Sequence, residues 1–522
     1  MATPPREQNR QHEKGRNRPH KSHRWMNGRL PYRPVGAPIR YTSPLPPLEP
    51  PPTPRVKTMQ RRLEGLFLAA FINRNFALMW WGQAISSIGD YAWDTALVLW
   101  IASYLAAGQS WAPLAVSGVV LAAALPQIVV GPIAGVFVDR WDKRRTMIIM
   151  AMLQAIVATM LVLAALNIRF PFVGSEQFQN FWRIVAVYID VVALTIFAQF
   201  FIPAQFALIK DIVPEQKQDQ ALETSQAIQG LSIIIGPPVA AALVFGLGVA
   251  WALVLDACSF MIVLFAIFAI QAPPSAHSLA PGEAGHFSRE FLDGLGYVIN
   301  HRILRTILVA EVLTWLGFGA LQSLGYFFIT ENLHAPASDY GLFGADFGVG
   351  AIVGALLVTF IGQRIGLDWL LWVSLITSGL FVILMSHVSN FPIALAAAFL
   401  FGVSTTAIIV TAGPLALHGT SREYVGRVMA VINPIGRLAA LVSVVLAGYF
   451  VSTVLQGFHA NLLGITFGPI DTVFTFMGLL AIAGGLYARI SLRSIAEESL
   501  PAPAESDQDN VQGHVNQSQH AS

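Results

Sequence analysis

Charged side chains are scarce in this chain: Asp, Glu, Lys and Arg make up 12% of its residues, and hydrophobic types make up 54%. Soluble domains carry about 25% charged residues, so this composition excludes an ordinary water-soluble protein. Cysteine is nearly absent as well, and the lone Cys258 excludes an intramolecular disulfide. We expect Cys258 to act as a small apolar side chain within a hydrophobic run.

Several chemical signatures are also missing. The sequence has no His-Glu-x-x-His pair, no phosphate-binding glycine loop and no Gly-x-Ser-x-Gly elbow. We therefore predict that the protein is not an enzyme, uses no cofactor, binds no metal and is not itself an ATP-driven pump. We expect no cleavable signal peptide, because the first residues are polar and rich in proline and lack an apolar core.

Long apolar runs dominate the rest of the chain. A run of about 20 apolar residues is long enough to cross a bilayer as a helix. The sequence predicts an all-α, polytopic membrane protein with twelve transmembrane helices in two pseudo-symmetric six-helix halves. The predicted spans are 76–104, 112–137, 146–166, 182–206, 224–246, 249–270, 304–329, 340–362, 369–388, 391–413, 427–453 and 471–489.

Basic residues are distributed unevenly among the predicted loops. The loops after spans two, four, six, eight and ten carry twelve Lys and Arg, whereas the other side has only Arg169 and Arg183. Residues 1–62 hold a further 14 of the 32 Lys and Arg. Because basic loops stay in the cytoplasm, we predict a multi-pass protein of the plasma (inner) membrane with both termini cytoplasmic. We expect the basic tail to contact anionic lipid and not nucleic acid.

Composition divides the chain into five segments. Residues 1–62 form a basic, Pro-rich tail that we expect to be disordered and cytoplasmic. Residues 70–270 form the first half and 304–494 the second. Between them, 271–303 forms a cytoplasmic linker that contains an amphipathic helix, and residues 495–522 form a polar, acidic cytoplasmic tail.

One loop between predicted spans has a distinctive pattern: Gly135, Asp139, Arg140, Arg144 and Arg145 occupy every fixed position of G-x-x-x-D-R-x-x-x-R-R. This pattern resembles the loop between helices two and three of the major facilitator superfamily. The resemblance implies that Asp139 and the basic cluster form a cytoplasmic gate that latches onto the start of span eleven near Gly426 and Arg427. The basic cluster also enforces topology.

Further stretches are similar to the macrolide-efflux branch of drug:proton antiporters. They are Asn75–Gln83 leading to Ile88-Gly89-Asp90, Pro203-Ala204 with Val213-Pro214-Glu215, Asp256–Phe260, and Gly426–Ala430. The antiporter motif of span five is kept at Gly236 and Pro237. It departs from the family pattern at Ala227, Ala240 and Ala241, where the pattern has glycine. The fourth-helix arginine of many proton antiporters has no counterpart here.

Ionisable residues inside the spans are candidates for proton coupling, because a charge at the bilayer centre costs about 2.5–3.5 kcal/mol. Asp90 and Asp94 lie four residues apart and share a helix face. Two carboxylates in a poorly hydrated cavity cannot both ionise cheaply, so one is expected to hold a proton. Glu311 is a further candidate. We expect Asp190, Asp256 and Asp346 to lie on a hydrated rim.

A substrate cavity is predicted from polar residues within the spans: Gln83, Gln127, Gln226 and Arg437. Arg437 could pair with an acid or receive an anionic group of the substrate. The resemblance implies a proton antiporter that exports lipophilic or amphipathic drug-like molecules through alternating access and so confers multidrug resistance. We expect the protein to be monomeric. A carrier of a metabolite, siderophore or lysolipid with the same fold, or a membrane sensor or scaffold acting through the N-terminal tail, remains an alternative.

Overall fold

The computed structural model describes residues 72–166, 175–271, 287–418, 420, 424–462 and 465–498. The predicted tail at 1–62 and most of the predicted tail at 495–522 lie outside the described residues. The described residues are almost entirely helical, and the only strands among them are β1 (Ala460–Leu462) and β2 (Ile465–Phe467), which pair antiparallel. This short hairpin was not predicted.

Fourteen α-helices follow one another in the described part of the chain. They are α1 (Arg74–Trp100), α2 (Ala112–Val129), α3 (Gly131–Arg140), α4 (Lys143–Ala165), α5 (Glu176–Ile212), α6 (Gln218–Gly246), α7 (Val249–Ala269), α8 (Phe287–Asn300), α9 (Arg302–Phe327), α10 (Asp339–Ile365), α11 (Leu367–His387), α12 (Phe391–His418), α13 (Val425–Tyr449) and α14 (Pro469–Glu498).

Eleven of the described helices are long and apolar enough to cross a membrane. Helix α1 is not among them, because Gln83, Asp90 and Asp94 interrupt its apolar sequence. The predicted second span is divided at Val130 into α2 and α3. Gly131 and Pro132 begin α3, and Pro126 lies inside α2. Proline lacks the backbone N–H that would continue a helix, so the division follows from the sequence.

The helices pack as two repeats of one arrangement. In the first half, α1 packs against α6 and α7, α2 against α5, and α4 against α5 and α7. The second half repeats these pairs in order: α9 packs against α13 and α14, α10 against α12, and α11 against α12 and α14. Between the halves, α6 packs against α10, and α2 packs against α9 and α13. The contacts therefore reproduce the predicted pseudo-symmetry.

The buried cores differ between the two ends of the bundle. We call the end with the Gly135–Arg145 loop the basic end. There, two separate apolar clusters form, one drawn from α1 and α3–α7 and the other from α8, α9 and α11–α14. At the opposite end, a single cluster contains residues of both halves. The halves are therefore joined at the opposite end and have separate cores at the basic end.

Polar contacts reinforce the junction at the opposite end. The hydroxyls of Ser117 and Ser323 lie 2.6 Å apart, and both residues are fully buried. The Ser103 hydroxyl lies 2.8 Å from the hydroxyl of Tyr326. Helices α1, α9 and α13 each end here in a π-helical turn: Ile101–Leu105, Phe328–Asn332 and Phe450–Val454. Turns of this kind occur frequently at functional sites.

Helix α8 lies in the predicted linker and packs on α13. The Tyr297 and Tyr424 rings stack with their centroids 4.5 Å apart, and Val298 is fully buried within the second-half core. A Cβ at Gly294 would lie 2.9 Å from the Arg427 carbonyl oxygen, so glycine permits this close approach. Helix α8 is thus attached to the second half, and the linker residues 272–286 lie outside the described residues.

Candidate transport cavity

A cavity of about 810 Å³ is enclosed mainly by helices of the first half and is bordered on one side by α13 of the second half. It is lined by residues of α1, α2, α3, α4, α5, α6 and α7 and by Arg437 of α13. Its wall extends to Gly135 and Gln205, which lie toward the basic end of their helices. A cavity of this volume falls within the range of small-molecule binding sites, about 300–1,000 Å³.

Asp90 and Asp94 both line the cavity. They lie one helical turn apart on α1, as their spacing predicted; Asp90 is half-buried and Asp94 is exposed into the cavity. Gln83 lies two turns nearer the basic end and lines the same wall; its amide donates to the Ser87 hydroxyl at 3.3 Å. Helix α1 therefore gives the cavity a polar face with two carboxylates.

Asp190 and Asp256 are buried, contrary to the expectation of a hydrated rim. Their side chains are 4% and 1% exposed. Asp256 packs against α1, because Gly89 has no side chain there: a Cβ at Gly89 would lie 3.0 Å from Asp256 Oδ1. Asp256 also lines the cavity. The expectation failed because distance from a helix end does not determine which face of the helix packs inward.

Among the described residues of the cavity wall, Arg437 is the one cationic side chain. Its guanidinium donates to Gln127 Oε1 at 3.4 Å, which links α13 of the second half to α2 of the first. Arg437 therefore pairs with an amide in this structure, and both side chains remain partly open to the cavity. A cation and several carboxylates thus face the same space from opposite halves.

The other predicted residues are placed less centrally. Gln226 is exposed and is not part of the cavity wall, whereas Gln229 on the same helix lines it. Glu311 accepts a hydrogen bond from Trp315 Nε1 at 2.9 Å and also lies outside the wall. Sequence reasoning missed Gln154 of α4 and Gln199 and Gln205 of α5, which line the cavity. An amide side chain within an apolar span was the signal that could have identified them.

The basic loop is built around helix termini. Asp142 Oδ1 accepts from the Arg145 backbone N–H at 2.7 Å and so caps α4. Arg144 donates to the carbonyl oxygens of Ile267 at 3.2 Å and Phe268 at 2.8 Å, in the last turn of α7. Arg140 and Arg145 are exposed. The Asp139 side chain lies outside the described residues, so its role as a latch stays a prediction.

Gly236 and Pro237 lie where three helices meet. A Cβ at Gly236 would lie 2.5 Å from Tyr91 Cβ and 3.0 Å from the Ala92 nitrogen, so α6 touches the α1 backbone here. On another face, a Cβ at Gly341 of α10 would lie 2.6 Å from the Pro237 carbonyl oxygen. The motif therefore brings α6 against the helix that carries Asp90 and against the opposite half.

Comparison with known proteins agrees with this architecture. A sequence profile of the transmembrane secretion effector family matches residues 67–517. The chain belongs to this family, within the major facilitator superfamily. This membership confirms the resemblance inferred from the loop motif and from the first, fourth, fifth, sixth and eleventh spans.

Individual relatives of the transporter are distant. It is 23% identical over 380 residues to macrolide efflux protein A of Streptococcus pyogenes, which covers 72% of this chain and 89% of that protein. It is 25% identical over 275 residues to multidrug resistance protein MdtG of Escherichia coli, covering 52% of this chain and 65% of that protein. The crystal structure of the nucleoside transporter NupG aligns with a TM-score of 0.61 and 12% identity, covering 80% of this chain and 100% of that one.

These similarities confirm the predicted class of fold and activity. The transporter is a multi-pass, helical membrane protein of the major facilitator type, and its family consists of transporters rather than enzymes. The same helix pairs pack together in each half, as expected for a transporter built from two internal repeats.

Arg144→Gln is expected to destabilise the transporter. The guanidinium donates to the Phe268 carbonyl oxygen at the C-terminal end of α7 and shares the Ile267 carbonyl oxygen with the Ile270 backbone N–H. Hydrogen bonds to charged groups contribute about 1.5–3 kcal/mol, so we expect a loss in that range. Thermal unfolding in detergent, followed by tryptophan fluorescence, measures it.

The matched control is Arg145→Gln, which removes the same charge from the next residue. The Arg145 side chain is exposed, so its loss is expected to change stability by less than about 0.5 kcal/mol. Equal effects of the two substitutions would show that α7 is not held by Arg144.

Proposed function

We propose that the protein exports lipophilic or amphipathic molecules of the macrolide and drug type in exchange for protons. The observation that carries this proposal is the cavity, which has two carboxylates of α1 on one wall and Arg437 on the facing half. The family of the chain and its similarity to a macrolide efflux protein and a multidrug resistance protein support the choice of substrate class.

Proton exchange is supported by the position of Asp90 and Asp94. Neither carboxylate has a basic partner among the described ion pairs, and both line the cavity in which a substrate would sit. A carboxylate partly buried between packed helices, as Asp90 is, holds a proton more readily than one in bulk water. A cationic or strongly polar substrate group entering beside Asp90 would favour release of that proton, which couples the two movements.

Alternating access is supported by the difference between the two ends of the bundle. The halves share a core at one end and have separate cores at the other. The excess of basic residues in the loops of the second end favours its being cytoplasmic, in the plasma membrane. In this conformation the cavity would face the cytoplasm, and export requires that the junction containing Ser117 and Ser323 then opens.

Uptake into everted membrane vesicles tests the proposed export directly. Vesicles energised by respiration are expected to accumulate erythromycin, and an uncoupler that collapses the proton gradient is expected to release it. Vesicles from cells without the protein are the control. Failure to accumulate erythromycin and other macrolides or lipophilic dyes, with the protein present in the membrane, would contradict the proposed substrate class and favour a dedicated metabolite or lipid.

Cross-linking the opposite end is expected to stop transport. The hydroxyls of Ser117 and Ser323 are 2.6 Å apart, so paired cysteines there can approach disulfide geometry. In a Cys258→Ala background, Ser117→Cys with Ser323→Cys is expected to lose transport on oxidation and regain it on reduction. Each single substitution serves as a control. Full transport by the oxidised, cross-linked protein would contradict opening at this junction.

A further inference from the structure

Two carboxylates in the first half have no role in the cavity chemistry above. Asp256 and Asp190 are 1% and 4% exposed, and three of their four carboxylate oxygens have no hydrogen-bond partner. The exception is Asp256 Oδ1, which lies 3.4 Å from the Ser259 hydroxyl. That hydroxyl makes its shorter bond, 2.7 Å, to the Asp256 backbone oxygen. Asp190 therefore accepts no hydrogen bond, and Asp256 accepts only the long one from Ser259.

Asp256 lies beside the carboxylates of α1. Its Oδ1 packs against Gly89, the residue before Asp90, and its side chain lines the same cavity as Asp90 and Asp94. Helices α1, α4 and α6 pack against α7, and none of them contributes a cation to the cavity wall. Their polar groups in that wall are Asp90, Asp94 and Tyr91 from α1, Gln154 from α4 and Gln229 from α6.

Asp190 extends this group of acids away from the cavity. Leu194 and Thr195 of α5 line the cavity wall, and Asp190 lies one helical turn before Leu194, toward the opposite end. Its neighbours Val187 and Val191 are buried in the core that joins the halves. The order from the basic end is therefore the cavity with Asp90 and Asp256, and then Asp190 within the junction.

A buried carboxylate without donors or a cation is far less costly when it carries a proton. Removing an ionised carboxylate from water without compensation costs so much that the group becomes neutral instead. Asp190 meets this condition fully, and Asp256 has only the 3.4 Å contact of the Ser259 hydroxyl on Oδ1. Asp90 follows Gly89, against which Asp256 packs, and is a cavity carboxylate to which Asp256 could pass a proton.

We propose that Asp256 and Asp190 form a second proton-binding site, a relay that connects Asp90 with the closed end of the bundle. This relay rests on the proposed exchange of substrate for protons. When Asp90 has released its proton to cavity water, the Asp256 carboxyl donates its proton to the Asp90 carboxylate. The Asp190 carboxyl then reprotonates Asp256, and Asp190 takes a proton from water when the opposite end opens. One proton crosses for each cycle.

Infrared difference spectroscopy of the purified transporter in lipid nanodiscs tests the site without any substrate. Protonated carboxyl groups have a C=O stretch that ionised carboxylates lack. At neutral pH, Asp256→Asn and Asp190→Asn are each expected to remove one such band from the spectrum of the unmodified protein. Asp256→Glu is expected to keep a band at a shifted frequency, which shows that the loss does not reflect misfolding.

The control is Asp219→Asn, whose exposed carboxylate at the start of α6 is expected to contribute no such band. If the spectra of Asp256→Asn and Asp190→Asn also retain every band of the unmodified protein, the two acids carry no protons and the proposal is overturned. It is equally overturned if sodium chloride, but not choline chloride, abolishes the bands at constant pH, because the acids would then hold a sodium ion.

Proteoliposomes loaded with erythromycin test the relay in transport. Asp256→Asn and Asp190→Asn are expected to keep downhill erythromycin movement but to lose about tenfold or more of the accompanying proton flux, measured with a trapped pH dye. Unchanged proton flux would overturn the relay. Carboxyl bands that are lost in the variants, combined with no erythromycin movement in any protein, would refute the proposed substrate and leave the proton site standing.

Discussion

Asp90→Asn is expected to abolish the gradient-driven accumulation of substrate. Asparagine preserves the shape of the side chain, so the cavity wall formed by α1 is kept, but it cannot exchange a proton. For one exchanged proton, each unit of pH difference supports about a tenfold accumulation. In energised everted vesicles we expect that accumulation to fall to the level seen after an uncoupler is added.

Two further measurements make this prediction specific. Downhill movement of preloaded erythromycin is expected to persist in Asp90→Asn, because the substitution removes coupling but not the cavity. Asp346→Asn is the matched control, since it removes a carboxylate from a spanning helix, α10, that does not line the cavity. If Asp90→Asn still accumulates erythromycin in response to the gradient, Asp90 is not the coupling residue.

Gly236→Ala is the second substitution with a large expected effect. The added methyl group would lie 2.5 Å from Tyr91 Cβ and 3.0 Å from the Ala92 nitrogen, so α6 and α1 must separate to admit it. Overpacking of this kind costs about 1–3 kcal/mol. Because the separation displaces the part of α1 next to Asp90, transport is expected to fall together with thermal stability in detergent.

Gly230 provides the control on the same helix. A Cβ there would meet no atom within 4 Å, so Gly230→Ala introduces the same methyl group without a clash. Since alanine favours a helix over glycine by up to about 1 kcal/mol, this variant is expected to be at least as stable as the unmodified protein. If the Gly236→Ala protein is as stable and active as Gly230→Ala, the α1–α6 contact can accommodate a methyl group and the prediction is wrong.

The architecture could be predicted from the sequence, because it depends on long apolar runs and on the positions of charged loops. Helices of bilayer length need long apolar runs, so most spans were predicted within several residues of their observed ends. The loop at Gly135–Arg145 indicates the family from the sequence alone, because four of its five fixed positions are charged in a chain that is otherwise poor in charge. The spacing of Asp90 and Asp94 also placed them correctly on one face of α1.

The orientation of individual side chains was less accessible. In a membrane helix, residues facing lipid and residues facing the core are both apolar, so the sequence does not reveal the rotation of the helix. Gln229 rather than Gln226 lines the cavity because of how α6 is rotated in the bundle, where Gly236 touches α1. The burial of Asp190 and Asp256 depends in the same way on neighbouring helices.

The attachment of α8 has a consequence for the mechanics of the transporter. Because Tyr297 stacks on Tyr424 and Val298 is buried in the second-half core, α8 belongs to that half and would move with it in the proposed alternating access. The covalent tether between the halves is then residues 272–286 rather than the whole predicted linker. Fully extended, a chain of that length reaches on the order of 50 Å, so the tether imposes little restraint on a rocking motion. It would, however, keep the two halves of a single molecule together if their core contacts separate as proposed.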